Sequence, residues 1–203
     1  MTETIIDLIR HGQPVGGSRY RGQIDDPLSE KGWQQMRDAV EGYTDWQAIV
    51  SSSLTRCADF GAEMAEKLSV PVSMDERLQE IGFGCWEGKT KAQLREEDPG
   101  QLERFWADPV ANRPEGAETL VEFRQRVIAG WHAAIERHTG QHILMVGHAG
   151  MMRMIIREVL DMPLAAMFRI DVANAGISRI RVSHYEGQYS TSLVFHAGVP
   201  EKP

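Results

Sequence analysis

The sequence predicts a layered α/β fold with a largely parallel sheet, on three observations. Short β-branched apolar runs alternate with longer stretches whose apolar residues recur every three or four positions. Several of the short runs end in polar clusters that lead straight into a helical pattern, the arrangement of a strand feeding a crossover helix. Two final runs alternate apolar with polar residues, as an antiparallel closing pair does.

Thr4–Ile9 (TIIDLI) is the first strand; its length and β-branching favour strand over helix. Residues 13–28, rich in Gly, Pro, Asp and Arg, form a loop. Ser29 is placed to cap a helix that runs to about Val40. Ala48–Ser52 is the second strand, Thr55–Leu68 a helix and Val70–Met74 the third strand. Residues 81–117 break the alternation. They hold GFGCWEGK, two short helical patterns over Lys91–Glu97 and Gln101–Trp106, and a Pro-rich stretch to Gly116, which makes them a helical insertion over one end of the sheet. Glu118–His138 is a long amphipathic helix with Leu120, Phe123, Val127, Trp131 and Ile135 on its apolar face. His142–Val146 is the fourth strand and Met151–Leu160 the next helix. Gly176–Val182 and Ser190–Phe195 are the closing pair, and the terminal GVPEKP is expected to fray.

The 203 residues suit one domain spanning 1–203, with enough chain for a proper core. With 42% hydrophobic and 25% charged residues the composition is that of an ordinary globular chain. A net charge of −7 disfavours general binding to nucleic acid or anionic membranes, so any anion site must be a local basic pocket. Cys57 and Cys85 form no CxxC and no zinc spacing, which points to reduced thiols and a cytoplasmic setting. The N-terminus shows neither a basic n-region nor a long apolar h-region, and no apolar run is long enough to span a bilayer.

In an open parallel sheet, ligands bind beyond the carboxyl ends of the strands. The first strand here ends in Arg10-His11-Gly12, the second runs through Ser51-Ser52-Ser53-Leu54-Thr55-Arg56, and the fourth ends in Gly147-His148-Ala149-Gly150. If these strands are neighbours, His11, His148, Arg10 and Arg56 share one pocket. Guanidiniums hold phosphate oxygens, and helix N-termini add N–H donors. A neutral imidazole attacks phosphorus, and a second one donates to the equatorial oxygens. The leaving alcohol then needs a proton from a carboxylic acid beside the pocket. Of Glu76, Glu80 and Glu87, Glu80 directly follows the third strand and precedes a Gly-X-Gly turn, so it is assigned that role. A lone strand-end histidine is ordinarily a polar residue at a sheet edge; the ordered set of four motifs carries the argument. His132, His138, His142, His184 and His196 are given no chemistry, and no HxH or HExxH spacing supports a metal site.

These residues resemble the histidine phosphatase, or phosphoglycerate mutase-like, superfamily from Ile5 to about Val182. The resemblance implies a three-layer α/β/α sandwich, a phosphohistidine on His11, a phosphate pocket of Arg10, Arg56 and His148, and Glu80 as proton donor. It also implies that Arg21, Gly22 and Gln23 line the substrate pocket, and Gly12 and Ala149 are taken with them as substrate-binding residues. Within the superfamily, EIGFGCWEG at 80–88, YRGQIDDPLSEKG at 20–32, PEGAET at 114–119 and FRIDVANAGISRI at 168–180 resemble the alpha-ribazole phosphatases of cobalamin synthesis. Gly17 stands where mutases have the Asn of RHGxxxxN. The expected activity is therefore hydrolysis of a phosphorylated small molecule, without metal or cofactor. A broad sugar or small-metabolite phosphatase, a mutase and a non-catalytic anion binder are the alternatives. Lys89, Lys91 and Arg95 are read as a solvated helix face in preference to a second anion site, and the C-terminal strands are candidates for pairing across a homodimer.

Overall fold

The computed structural model describes residues 2–198. Six strands form one sheet: β1 (Thr2–Arg10), β2 (Ala48–Ser52), β3 (Val72–Asp75), β4 (His142–Gly147), β5 (Ile177–Tyr185) and β6 (Gln188–Gly198), in the spatial order β3-β2-β4-β1-β5-β6. β1 through β4 are parallel neighbours, and β5 runs antiparallel to both β1 and β6. β1 and β4 are adjacent, with Arg10 opposite Gly147, so the two histidines that follow them leave the sheet side by side.

Alternation along the central strands sorts their side chains to two apolar layers. Ile6, Leu8, Val50, Ile143 and Met145 face α5 (Leu120–Arg137) and α6 (Ala149–Val159). Ile9, Ile49, Leu144 and Val146 face α1 (Glu30–Ala39) and α2 (Thr55–Leu68). Both faces being covered explains why the central strands read as continuous apolar runs. Each fully buried side chain such as Phe60 or Phe123 contributes roughly 1.5–3 kcal/mol. The insertion carries α3 (Lys91–Glu97) and α4 (Gln101–Ala107) and has its own small core of Trp86, Leu94, Leu102 and Phe105, against which Tyr20, Phe83 and Phe168 pack.

Local chemistry sets the helix ends. The Ser29 hydroxyl accepts from Gly32 N–H at 3.1 Å and donates to the Gln13 carbonyl at 2.8 Å, so it caps α1 and anchors the loop before it. Thr90 with Gln93, and Thr119 with Glu122, form capping boxes on α3 and α5. The long amphipathic helix accordingly starts at Leu120, one residue after its Thr119 cap, and not at Glu118.

β3 starts two residues later than the sequence suggests. Ser69 takes the left-handed conformation that closes α2, and the Val70 N–H is spent on the Ala65 carbonyl. β1 and β6 extend beyond their predicted bounds, and Leu164–Arg169 forms a 3₁₀ turn with no counterpart in the sequence reading. Of the tail expected to fray, Gly198 ends β6; the remainder lies outside the described residues.

Candidate active site

An open cleft of about 300 Å³ sits over the carboxyl ends of β1 and β4. Arg10, His11, Arg21, Gly22, Arg56, Glu80 and Ala149 all line it, joined by Tyr20, Phe83, Arg153 and Asn174. His148 lies directly beneath, fully buried, with its ring centroid 5.2 Å from that of His11 at an interplanar angle of 65°. The parallel pairing of β1 with β4 makes the two rings neighbours. Arg56 arrives from the first turn of α2, next to β2 on the far side of β4.

The His11 ring has one free nitrogen. Its Nδ1 lies 2.7 Å from the Gly12 carbonyl oxygen, and a carbonyl only accepts, so Nδ1 carries the hydrogen and Nε2 keeps its lone pair. Asn174 Nδ2 donates to the His11 carbonyl at 3.1 Å and fixes the backbone from the other side. Burial lowers the His11 pKa well below its usual 6.5, and the Arg56 and Arg10 charges push the same way. His148 is shifted in the same direction by burial first and by Arg56 next. Its Nε2 lies 2.8 Å from Ser52 Oγ, and the Cys57 sulfur packs against the ring at 3.6 Å. Both imidazoles are therefore neutral at pH 7.

The two arginines keep donors free for an anion. Arg10 gives Nη1 to the Val172 carbonyl at 2.7 Å. Arg56 gives one terminal nitrogen each to the Ile24 and Gly22 carbonyls, both at 2.7 Å. The Nε of each is buried without a partner. Two buried cationic donors without a partner stand beside a neutral histidine, a donor set chemically suited to a tetrahedral anion. The terminal nitrogens of Arg56 hold the loop as well, so its fork is not wholly available to phosphate.

Glu80 does not follow β3 directly; a 3₁₀ turn over Glu76–Leu78 intervenes. Its carboxylate accepts from the N–H groups of Ile81 and Gly150, both at 3.0 Å, and so reaches the N-terminus of α6. Its charge acts on both Arg10 and Arg153.

The remaining expected residues divide. Gly22 lines the cleft and supplies a carbonyl to Arg56. Arg21 lines it too, but its guanidinium is committed to Asp26, Gly17 and Val15 within the same loop. Gln23 is exposed and outside the cleft, because Glu87 Oε1 holds its backbone N–H on the insertion side at 3.0 Å. Gly12 contributes its carbonyl and does not line the wall. Lys89 and Arg95 pair with Glu97 and Glu103 and do not line the cleft. Arg153, Asn174, Tyr20 and Phe83 were not singled out from the sequence. Arg153 had a usable signal: it stands one helical turn after Ala149, on the same face of α6. Among the described residues no cluster of three or more His, Cys, Asp or Glu is placed to hold a metal ion.

The chain is similar over nearly its whole length to known proteins. The family model described as the histidine phosphatase superfamily (branch 1) matches residues 6–193. A bifunctional protein of Mycobacterium tuberculosis is 34% identical over 203 residues, covering 97% of this chain and 55% of the relative, so the chain spans about half that relative's length. Glucosyl-3-phosphoglycerate phosphatase of the same species is 32% identical over 170 residues, covering 78% of this chain and 76% of the relative. A solved mycobacterial glucosyl-3-phosphoglycerate phosphatase superposes with a TM-score of 0.84 at 26% identity, over 96% of this chain and 99% of that one. A putative alpha-ribazole-5′-P phosphatase from Escherichia coli superposes with a TM-score of 0.78 at 25% identity, over 97% and 98%. A cleft with a free imidazole nitrogen and two unpaired arginine donors, on a fold shared with these phosphatases and within a matched segment of 6–193, places the chain in the histidine phosphatase superfamily.

Proposed function

We propose that the protein is a phosphomonoesterase that works through a phosphohistidine on His11. The observation that carries the reading is the Nδ1 contact to the Gly12 carbonyl, which leaves Nε2 as the nitrogen with the lone pair on a neutral ring that lines the cleft. In the first step the Nε2 lone pair forms a bond to phosphorus as the bond from phosphorus to the alcohol oxygen breaks. Glu80, which must enter this step as the carboxylic acid, delivers its proton to that oxygen, and the alcohol leaves. In the second step water attacks phosphorus, Glu80 takes the water's proton, and the N–P bond returns its electron pair to Nε2. Arg10, Arg56 and His148 stabilise the equatorial oxygens, where charge resides in the transition state.

For the alcohol half, the reading is alpha-ribazole 5′-phosphate. Tyr20 and Phe83, packed edge to face at 5.0 Å, put an aromatic wall beside the phosphate cradle. A flat heteroaromatic alcohol suits such a wall. A second reading, an anionic sugar-acid phosphate such as glucosyl-3-phosphoglycerate, is favoured by Arg153, a cleft cation whose Nε donates to the Ile170 carbonyl and which makes no ion pair with a carboxylate among the described residues. The whole of 1–203 is taken as one catalytic unit in either case.

Phosphate release from these two esters, 3-phosphoglycerate, a nucleoside monophosphate and p-nitrophenyl phosphate, measured in EDTA, tests the reading. Turnover that persists in EDTA, prefers alpha-ribazole 5′-phosphate and falls by at least about 10³-fold in a folded His11→Ala variant is the expected result. Preference for the sugar-acid ester moves the substrate to the second reading. Undiminished turnover in His11→Ala removes the phosphohistidine.

A further inference from the structure

The PEGAET stretch at 114–119 has no role in the chemistry above, yet its Glu118 sits in an ion pair that reaches the acid. Arg126, on α5, spends all five of its N–H donors there. Nη1 donates to the carbonyls of Arg77 at 3.0 Å and Gln79 at 2.7 Å. Nη2 donates to the Glu80 carbonyl at 2.8 Å and to Glu118 Oε2 at 2.8 Å, and Nε to Glu118 Oε1 at 2.6 Å. Glu118 in turn accepts from Gly82 N–H at 3.2 Å and returns its own N–H to the Gly82 carbonyl at 2.9 Å. The segment 77–82 is thereby held on both sides of Glu80 by one bidentate pair.

The pair is well shielded, with side-chain exposures of 21% for Arg126 and 16% for Glu118. Its bonds to 77–82 end on backbone atoms, so the pair governs where that backbone lies; the Arg126 charge is also one of the lesser causes that lower the His148 pKa, after burial, Arg56 and His11. The pair reaches the Glu80 backbone carbonyl, while among the described residues the Glu80 side chain accepts from the N–H groups of Ile81 and Gly150. We infer that Arg126 and Glu118 are positioning residues: together they fix the backbone of Glu80 so that its carboxyl meets the leaving oxygen. This rests on the reading of Glu80 as the proton donor.

Leaving-group dependence separates positioning from simple support. p-Nitrophenolate departs without a proton, whereas benzyl alcohol needs one, and the two phosphate esters are close in size. kcat/KM reports the steps through alcohol release, so the ratio of kcat/KM for benzyl phosphate to that for p-nitrophenyl phosphate reads the acid alone. Glu80→Gln serves as the reference and should lower that ratio by about 100-fold. Glu118→Gln and Arg126→Lys should each lower it by at least about tenfold, since a displacement of about 1 Å is enough for such losses. Thermal melts confirm folding. If Arg126→Lys fails to fold, Glu118→Gln and the shorter Glu118→Asp carry the test. A folded variant that loses both esters equally, or neither, while Glu80→Gln lowers the ratio, overturns the positioning role and leaves the acid assignment standing. An unchanged ratio in Glu80→Gln overturns the acid assignment itself.

Discussion

His11 is buried between two guanidiniums, and every one of these neighbours favours its neutral form. A ring with the ordinary pKa would be half protonated at pH 6.5. In ¹H–¹⁵N spectra of the free protein, the His11 nitrogens should therefore stay in their neutral pattern as the pH falls through 6.5. A titration midpoint near 6.5 would contradict the site geometry. The same residue shows what the sequence can and cannot give. Arg10-His11-Gly12 at a strand end is legible because strand, cation and imidazole are contiguous. The unpaired Nε atoms of Arg10 and Arg56 are not, because they depend on which carbonyls the other nitrogens happen to reach. Asn174 and Ser52 escaped for a related reason: each is a short polar side chain among many, and only its hydrogen bond to His11 or His148 distinguishes it.

Elements were legible where one physical signal dominates. α2 matches its predicted bounds because its apolar period is unbroken, and α1 because Ser29 announces it. Pairing was less legible than existence. Nothing in the local sequence says that α1 and the loop after β1 touch so closely that both contact residues must lack a side chain. A Cβ on Gly12 would lie 2.1 Å from the Gly32 carbonyl oxygen, and one on Gly32 would lie 2.2 Å from the Gln13 carbonyl oxygen. Both obstacles are backbone, so neither can rotate away. Gly12→Ala should thus drive α1 from the loop, cost about 1–3 kcal/mol in chemical denaturation and displace the carbonyl that orients His11. Phosphatase turnover should fall by more than that stability loss explains. A variant with wild-type stability and turnover would show that the contact is looser than the distances indicate.

Across the whole molecule, three buried ionisable groups make stability depend on pH in one direction. His11 and His148 have folded pKa values well below 6.5, so the unfolded chain binds more protons below that pH and stability declines as the pH drops past it. Asp7 acts at a lower window. Burial would raise its pKa, but hydrogen bonds from Arg179, His142 and Trp46 outweigh burial and hold it below 3.8. Its contribution is therefore present above pH 3.8 and lost as the pH falls through its folded value. Melting temperature plotted against pH should fall in two stages, one beginning near 6.5 and the other below about 3.8. Asp7→Asn should shrink the lower stage, to which Asp75 and Glu63 also contribute, and leave the upper one, and a curve level from pH 7 to 4 would refute the histidine assignment.

The position of β1 has a further consequence. Of the six strands it is made first, yet its two neighbours, β4 and β5, are the fourth and fifth to be made, and 135 residues separate Asp7 from the His142 it bonds. During synthesis the apolar TIIDLI segment waits, unpaired on both edges, until most of the chain has left the ribosome. The interval between the first strand and its partners is when the nascent chain is most exposed to aggregation, and it is there that a chaperone has something to hold.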